Sequence, residues 1–327
     1  MSKPAFVCAL DHELYFGTRP GSIDRCLIEP VDALLRATDR FGFKLTLFVD
    51  AGMLPALRAA GDDQTFKQVA SHLKSIFDQG HDVQLHIHPH WEDSSIVGGT
   101  AEFDTTRYRL HDFPPADIRC VVGRYKHELE TIIEAPVTAY RAGGWCIQPF
   151  NKLADALFDH GVTVDSTVYA GGFSADRGRE YDFRAAPDTD HWRFEDEPGT
   201  PNPAGRFLEL PITPVTLSPW FYLQNEVLKR TQPEQHGKFG DGEYLAHDSS
   251  YYLEKLKPRS VSPASVDGYK ASRLQAAYRR VMARRGNLLN VMGHPKAISR
   301  ASIDNIVNFL ERNLTEPQTM RSVIAQI

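Results

Sequence analysis

The sequence predicts an α/β fold, a distorted (β/α) barrel of seven strands with long loop insertions over its C-terminal face. Three observations predict it. Short apolar runs alternate with segments of helical spacing over most of the 327 residues, which implies parallel strands joined by crossover helices. Several of those runs are apolar throughout, as strands buried on both faces are. The polar residues that stand out fall in or just after predicted strands, where a barrel gathers its catalytic groups.

The elements follow in order. AFVCAL (5–10) reads as a buried strand, and residues 28–42 carry Val31, Leu34, Leu35 and Thr38 on one side of a helix. KLTLFVDAG (44–52) is the second strand. The helix 66–82 is closed by Gly80, a good C-terminal stop. VQLHI (83–87), the helix 118–133 and VTAYRAGGW (137–145) come next, then the helix 151–161 and VTVDSTVY (162–169). FLELPITPV (207–215) and NLLNVMGH (287–294) are later strands, and residues 302–314 form the last clear helix. One domain, 1–327, accounts for the whole pattern. Two stretches, about 170–206 and 231–268, lack periodicity and read as insertions that shape a cleft over the barrel mouth.

Composition narrows the function. Apolar residues make up 42%, enough for a large core, and the net charge of -5 gives no basic footprint for nucleic acid or for an anionic membrane. No apolar stretch approaches the roughly 20 residues of a membrane helix. The four cysteines, Cys8, Cys26, Cys120 and Cys146, form no CxxC pair, so thiolate zinc is not expected. The run Ala5–Leu10 is too short for a signal-peptide core, and a cytoplasmic protein with reduced thiols is expected.

The chemistry concentrates in five places. His86-Ile87-His88-Pro89-His90 follows a strand directly, and neutral imidazole is the commonest metal ligand. A helical turn would put His86 and His90 on one side; a continuing strand would align 86, 88 and 90. Pro89 biases His88 toward extended backbone. Asp11-His12-Glu13 ends the first strand, and its two carboxylates can supply a metal ligand and a general base. Arg141, before Gly143 and Gly144, can grip a carboxylate with two N–H groups. Asp165 and His294 also lie at strand ends, and a histidine there suits a general acid.

This ordered set resembles the polysaccharide deacetylase superfamily, carbohydrate esterase family 4, also called the NodB-homology domain. The resemblance spans residues 11–294. It implies Asp11 as catalytic base and, from GHDVQLHIHPHW, His86 and His90 as metal ligands. It also implies Arg141 as the residue that orients the base, and Asp165 with His294 as a pair in which the histidine is the acid. ELP at 209–211 is similar too. In place of two adjacent aspartates the chain has LDHELYFG, like a branch with spaced acids, so Glu13 is the implied third ligand. Asp82 stands where the family usually has glutamate, and Gly143 where it has proline.

The function implied is removal of an N-acyl group, such as acetyl, from a sugar or glycan precursor, with one divalent metal. Zinc is the first choice; iron, cobalt or manganese also suit two histidines and a carboxylate. Backbone N–H near Gly144 can help stabilise the oxyanion. Alternatives are an amidohydrolase acting on a cyclic imide or ureide, a non-haem iron oxygenase, and a non-catalytic glycan-binding domain. An oxygenase would carry its carboxylate close after the first histidine, and none lies between His86 and His90. Trp91, Trp145, Trp192 and Trp220 are candidates for sugar stacking. The partner is a small molecule or oligosaccharide, with no nucleic acid and no membrane span; the oligomeric state is not specified.

Overall fold

The computed structural model describes residues 3–176, 178–245, 256–313 and 315–327. Seven parallel strands build the centre: β1 (Ala5–His12), β2 (Leu45–Asp50), β3 (Asp82–Ile87), β4 (Ala139–Ala142), β5 (Val164–Asp165), β6 (Phe207–Glu209) and β7 (Leu288–Gly293). They are ordered 6-5-4-3-2-1-7 in one curled sheet. Antiparallel Trp192–Phe194 extends it beyond β6, and Glu316–Gln318 also pairs with β1. Among the described residues no strand ladder joins β6 to β7. Residues 210–213 and 264–266 bridge that gap by hydrogen bonds to Asn290 and Met292. The result is the expected distorted barrel, incompletely closed.

The continuous apolar strands follow from burial on both faces: every residue of β2, β3 and β7 is buried. Outside lie α1 (Glu29–Thr38), α2 (Met53–Ala59), α3 (Asp63–Asp78), α4 (Pro115–Ile133) and α5 (Ala154–Asp159). They are followed by α6 (Pro219–Thr231), α7 (Leu274–Ala283) and α8 (Arg300–Arg312). α3 shows why such a segment is helical. Asp62 caps it by accepting from the Thr65 N–H at 3.2 Å, and Val69, Leu73 and Ile76 recur on the buried side. α2, α6 and α7 are not among the elements expected from the sequence. Within the stretch 170–206, Gly172–Asp176 and Arg179–Phe183 pair as a hairpin. It packs on Trp145 and Cys146, in the loop after β4. Residues 246–255 of the second irregular stretch lie outside the described residues.

Inside the barrel, Val7, Ala9, Phe48, Ala139, Val164, Leu208, Leu210 and Leu288 form one apolar layer. The short α9 (Met320–Ile324) closes its base with Met320 and Val323. The buried Asp82 carboxylate accepts from the Arg321 N–H at 2.9 Å and from its Nε–H at 3.0 Å. Arg321→Ala is therefore expected to lower stability by about 1–3 kcal/mol, the cost of leaving a buried acceptor short of a partner. Urea unfolding reads this, and an unchanged midpoint would show that the pair does not hold the plug.

All four cysteines are free. No described helix is long and apolar enough to cross a membrane.

Candidate active site

Strand alternation decides what enters the barrel. On β1 the inward row is Val7, Ala9 and Asp11, continued by Glu13 just past the strand. His12 falls on the other side, beside His72, with ring centroids 6.5 Å apart and no hydrogen-bond partner among the described residues. Burial and then His72 push its pKa down to about 3.

Arg141 ends β4 fully buried, its guanidinium 4.2 Å above the Phe48 ring that tops the apolar layer. Its Nη1 donates to Asp11 Oδ1 at 2.7 Å and to the Ala9 carbonyl at 3.2 Å. Its Nε donates to the Ser166 carbonyl at 2.7 Å, and Nη2 to Ser166 Oγ at 3.2 Å. The guanidinium thus has one carboxylate and a set of fixed acceptors, and Asp11 is left with one free oxygen.

β3 stays extended through His88 (φ -107°, ψ 100°), and the 3₁₀ turn begins only at Pro89. His86 and His88 therefore share the inward face. Their Nε2 atoms lie 3.0 and 2.7 Å from Glu13 Oε2. His86 Nδ1 is 2.8 Å from the Arg141 carbonyl, to which it can only donate, so Nε2 is the nitrogen it presents. Asp50, at the end of β2, accepts from the His88 N–H and from Trp91 Nε1, fixing the turn. Gly143 makes room for this histidine: a Cβ there would lie 2.7 Å from the His88 ring. Gly144, at φ 60°, adopts left-handed backbone and lets the Tyr108 ring approach.

The expected i, i+4 pair, His86 and His90, is not brought together here. The 3₁₀ turn carries His90 out of the cluster and among Phe16, Phe103, Tyr108 and Trp91. Among the described residues neither His90 nitrogen has a hydrogen-bond partner, and burial, then His88, lowers its pKa well below the usual range. Among the described residues, the group that could hold a metal is Glu13, His86 and His88, with donor atoms all within 4.8 Å of one another. Two imidazoles and one carboxylate fit zinc or iron(II) and leave coordination positions open.

His294 follows β7, with Nε2 3.6 Å from Glu13 Oε1 and 3.9 Å from Asp11 Oδ2. Its partner is Asp267, not Asp165. Asp267 Oδ2 lies 2.9 Å from His294 Nδ1, and Oδ1 accepts from the His294 N–H at 2.7 Å. Burial disfavours the imidazolium, but Asp267, then Glu13 and Asp11, outweigh it and raise the pKa. Asp165 is one residue out of phase: Ser166 faces Arg141 and Asn290, so Asp165 turns outward. There it accepts from the Thr167 N–H and hydroxyl and lies beside Glu209, a carboxyl that burial and Asp165 push well above its ordinary range.

Sequence reasoning missed Asp50, Asp267 and Lys296. Lys296 is buried and donates from Nζ to Glu13 Oε1 at 2.8 Å. Burial would raise the Glu13 pKa, but Lys296, His88 and His86 outweigh it and hold the carboxyl well below its ordinary value. Of the four tryptophans, Trp91 and Trp192 are buried and Trp220 stands exposed on α6. Trp145, in the loop after β4, packs on Tyr169 and Tyr181, and its Nε1–H has no partner among the described residues.

No protein-family model matches the chain, and no curated protein matches it. Among solved structures, a putative polysaccharide deacetylase from Mycobacterium smegmatis is similar at 14% identity and a TM-score of 0.49. That match covers 100% of this chain and 93% of the other. A family 4 carbohydrate esterase pseudoenzyme from Bacillus anthracis matches at 10% identity and a TM-score of 0.43, over 98% of this chain and 65% of its own. A peptidoglycan deacetylase from Bacillus subtilis matches at 9% identity and a TM-score of 0.37, over 99% and 91%. Polysaccharide deacetylases and a family 4 carbohydrate esterase pseudoenzyme are thus among the solved structures to which this chain is similar.

Proposed function

We propose that the chain is a metal-dependent hydrolase of the polysaccharide deacetylase superfamily that removes an N-acyl group, such as acetyl, from a sugar or glycan precursor. The observation that carries this reading is one convergence. A metal-ligand set (Glu13, His86, His88), an arginine-held carboxylate (Asp11) and a carboxylate-held histidine (His294) meet at the C-terminal ends of the strands.

A divalent metal in that set, zinc first, supplies Lewis-acid polarisation of the amide carbonyl and a water acidic enough to attack. The chain's own residues handle the protons. Asp11, one oxygen fixed by Arg141, takes the proton of the attacking water on the other. His294 gives a proton to the nitrogen as the C–N bond breaks, because an amine cannot leave as an anion near neutral pH. The products are a carboxylate and a free amine. Trp145, seated on Tyr169 and Tyr181, offers a flat apolar face on which a sugar ring can stack.

The test is metal analysis with acetate release over a panel of N-acetylated sugars. About one divalent metal per chain and release from at least one sugar are expected. Ring opening of a cyclic imide or ureide, with no acetate release, would move the reading to an amidohydrolase in the same fold. The ligands can be mapped separately. His86→Ala and His88→Ala are each expected to weaken metal binding at least about tenfold, while His90→Ala retains the metal. Metal lost in His90→Ala but kept in His88→Ala would return the site to the i, i+4 pair.

A further inference from the structure

Lys296 has no part in the proton inventory, yet its ammonium lies against a proposed metal ligand. It is 3% exposed. Its Nζ donates to Glu13 Oε1 at 2.8 Å and to the Leu14 carbonyl, and lies 4.8 and 5.1 Å from the Tyr15 and Phe16 ring centroids. The backbone that carries it is pinned: Tyr15 Oη and the Gly240 N–H both donate to the Lys296 carbonyl, and Pro295 precedes it in a 3₁₀ turn. Glu13 is thus divided between two duties. Oε2 faces the two imidazoles, and Oε1 is occupied by a fixed cation.

We propose that Lys296 is a built-in counter-ion of Glu13, one that keeps the buried carboxylate charge-paired without metal and weakens the site's hold on a divalent cation. The inference rests on the reading of Glu13 as a metal ligand. Two effects of Lys296 oppose each other. As an anchor for Glu13 it would favour metal binding; as a positive charge it repels a dication. The anchor is largely redundant, because Glu13 is already buried with Oε2 held by His86 and His88. The charge is not, because at this depth salt screens little and the effective dielectric is low. The charge effect therefore wins, and the metal is held exchangeably.

The test compares Lys296→Gln, Lys296→Met and Lys296→Arg with the wild-type chain, all stripped of metal. Gln can still donate a hydrogen bond, so it keeps the fold measurable should Met prove unstable. Zinc affinity is read by competition with a chromogenic chelator, and thermal melts are run with and without zinc. Lys296→Gln and Lys296→Met are expected to bind zinc about tenfold or more tightly than wild type, and Lys296→Arg about as the wild type does. The two uncharged variants should also melt lower than wild type without zinc and recover with it. Zinc affinity equal to wild type or weaker in both uncharged variants overturns the proposal and leaves the metal site standing. No zinc binding by the wild type, unchanged in His86→Ala, overturns the metal site and the counter-ion with it.

Discussion

Asp11→Asn is expected to lower kcat by about a hundredfold or more while the protein still folds and still binds metal. The substitution keeps the shape and the acceptor facing Arg141, so Oδ1 can still take the Nη1 hydrogen bond now 2.7 Å long. What it removes is the ability to accept a proton. It also leaves the buried guanidinium without a counter-charge, which lowers stability. The fall is limited because Arg141 keeps the carbonyls of Ala9 and Ser166 and the Ser166 hydroxyl. The loss in kcat must therefore be read per folded, metal-loaded chain, below the melting transition. Glu13→Gln provides the contrast, since it removes charge from a proposed ligand and should weaken metal binding as well as turnover. Near-normal kcat in Asp11→Asn, on a substrate the wild type cleaves, would assign the base elsewhere.

The parts of this site that were legible share one cause. Asp11, Glu13, His86, Arg141 and His294 each lie near or just past the end of a strand whose apolar run is unmistakable, and strand ends on one rim of a barrel must meet. The geometry departs from the expectation where the outcome turns on a single residue of phase or on distant pairing. His88, and not His90, stands beside His86 and Glu13 because β3 stays extended up to Pro89; the bias of a residue before proline pointed that way but could not locate the start of the turn. Asp165 faces out because Val164 and Ser166 face in, and a one-residue shift of phase exchanges the two faces of a strand. Asp267 had no local signal. It reaches His294 because residues 264–266 run alongside β7, a contact between segments some 27 residues apart in an irregular stretch. Lys296 is spaced from His294 as Glu13 is from Asp11, which in retrospect marks the same rim.

The second large effect concerns the acid. His294→Ala is expected to cost on the order of a hundredfold or more in kcat on an ordinary N-acetyl sugar, with metal content unchanged because His294 is not among the proposed ligands. The loss should shrink on an activated anilide whose leaving group needs little protonation, a difference that a packing defect would not produce. The pH profile then identifies the partner. His294 must be protonated to act, and its pKa is raised in the folded chain, burial opposing but Asp267 and the nearby carboxylates prevailing. Activity should therefore hold through the ordinary histidine range and fall as pH rises through the raised value. Asp267→Asn removes the leading raising influence, so the imidazolium deprotonates earlier and the alkaline limb of kcat/KM moves to lower pH. Asp165→Asn should leave that limb in place, because Asp165 faces away from the barrel interior and bonds Thr167 instead. The opposite pattern, with the limb shifted by Asp165→Asn and unmoved by Asp267→Asn, would reject Asp267 as the residue that holds the acid in its charged form.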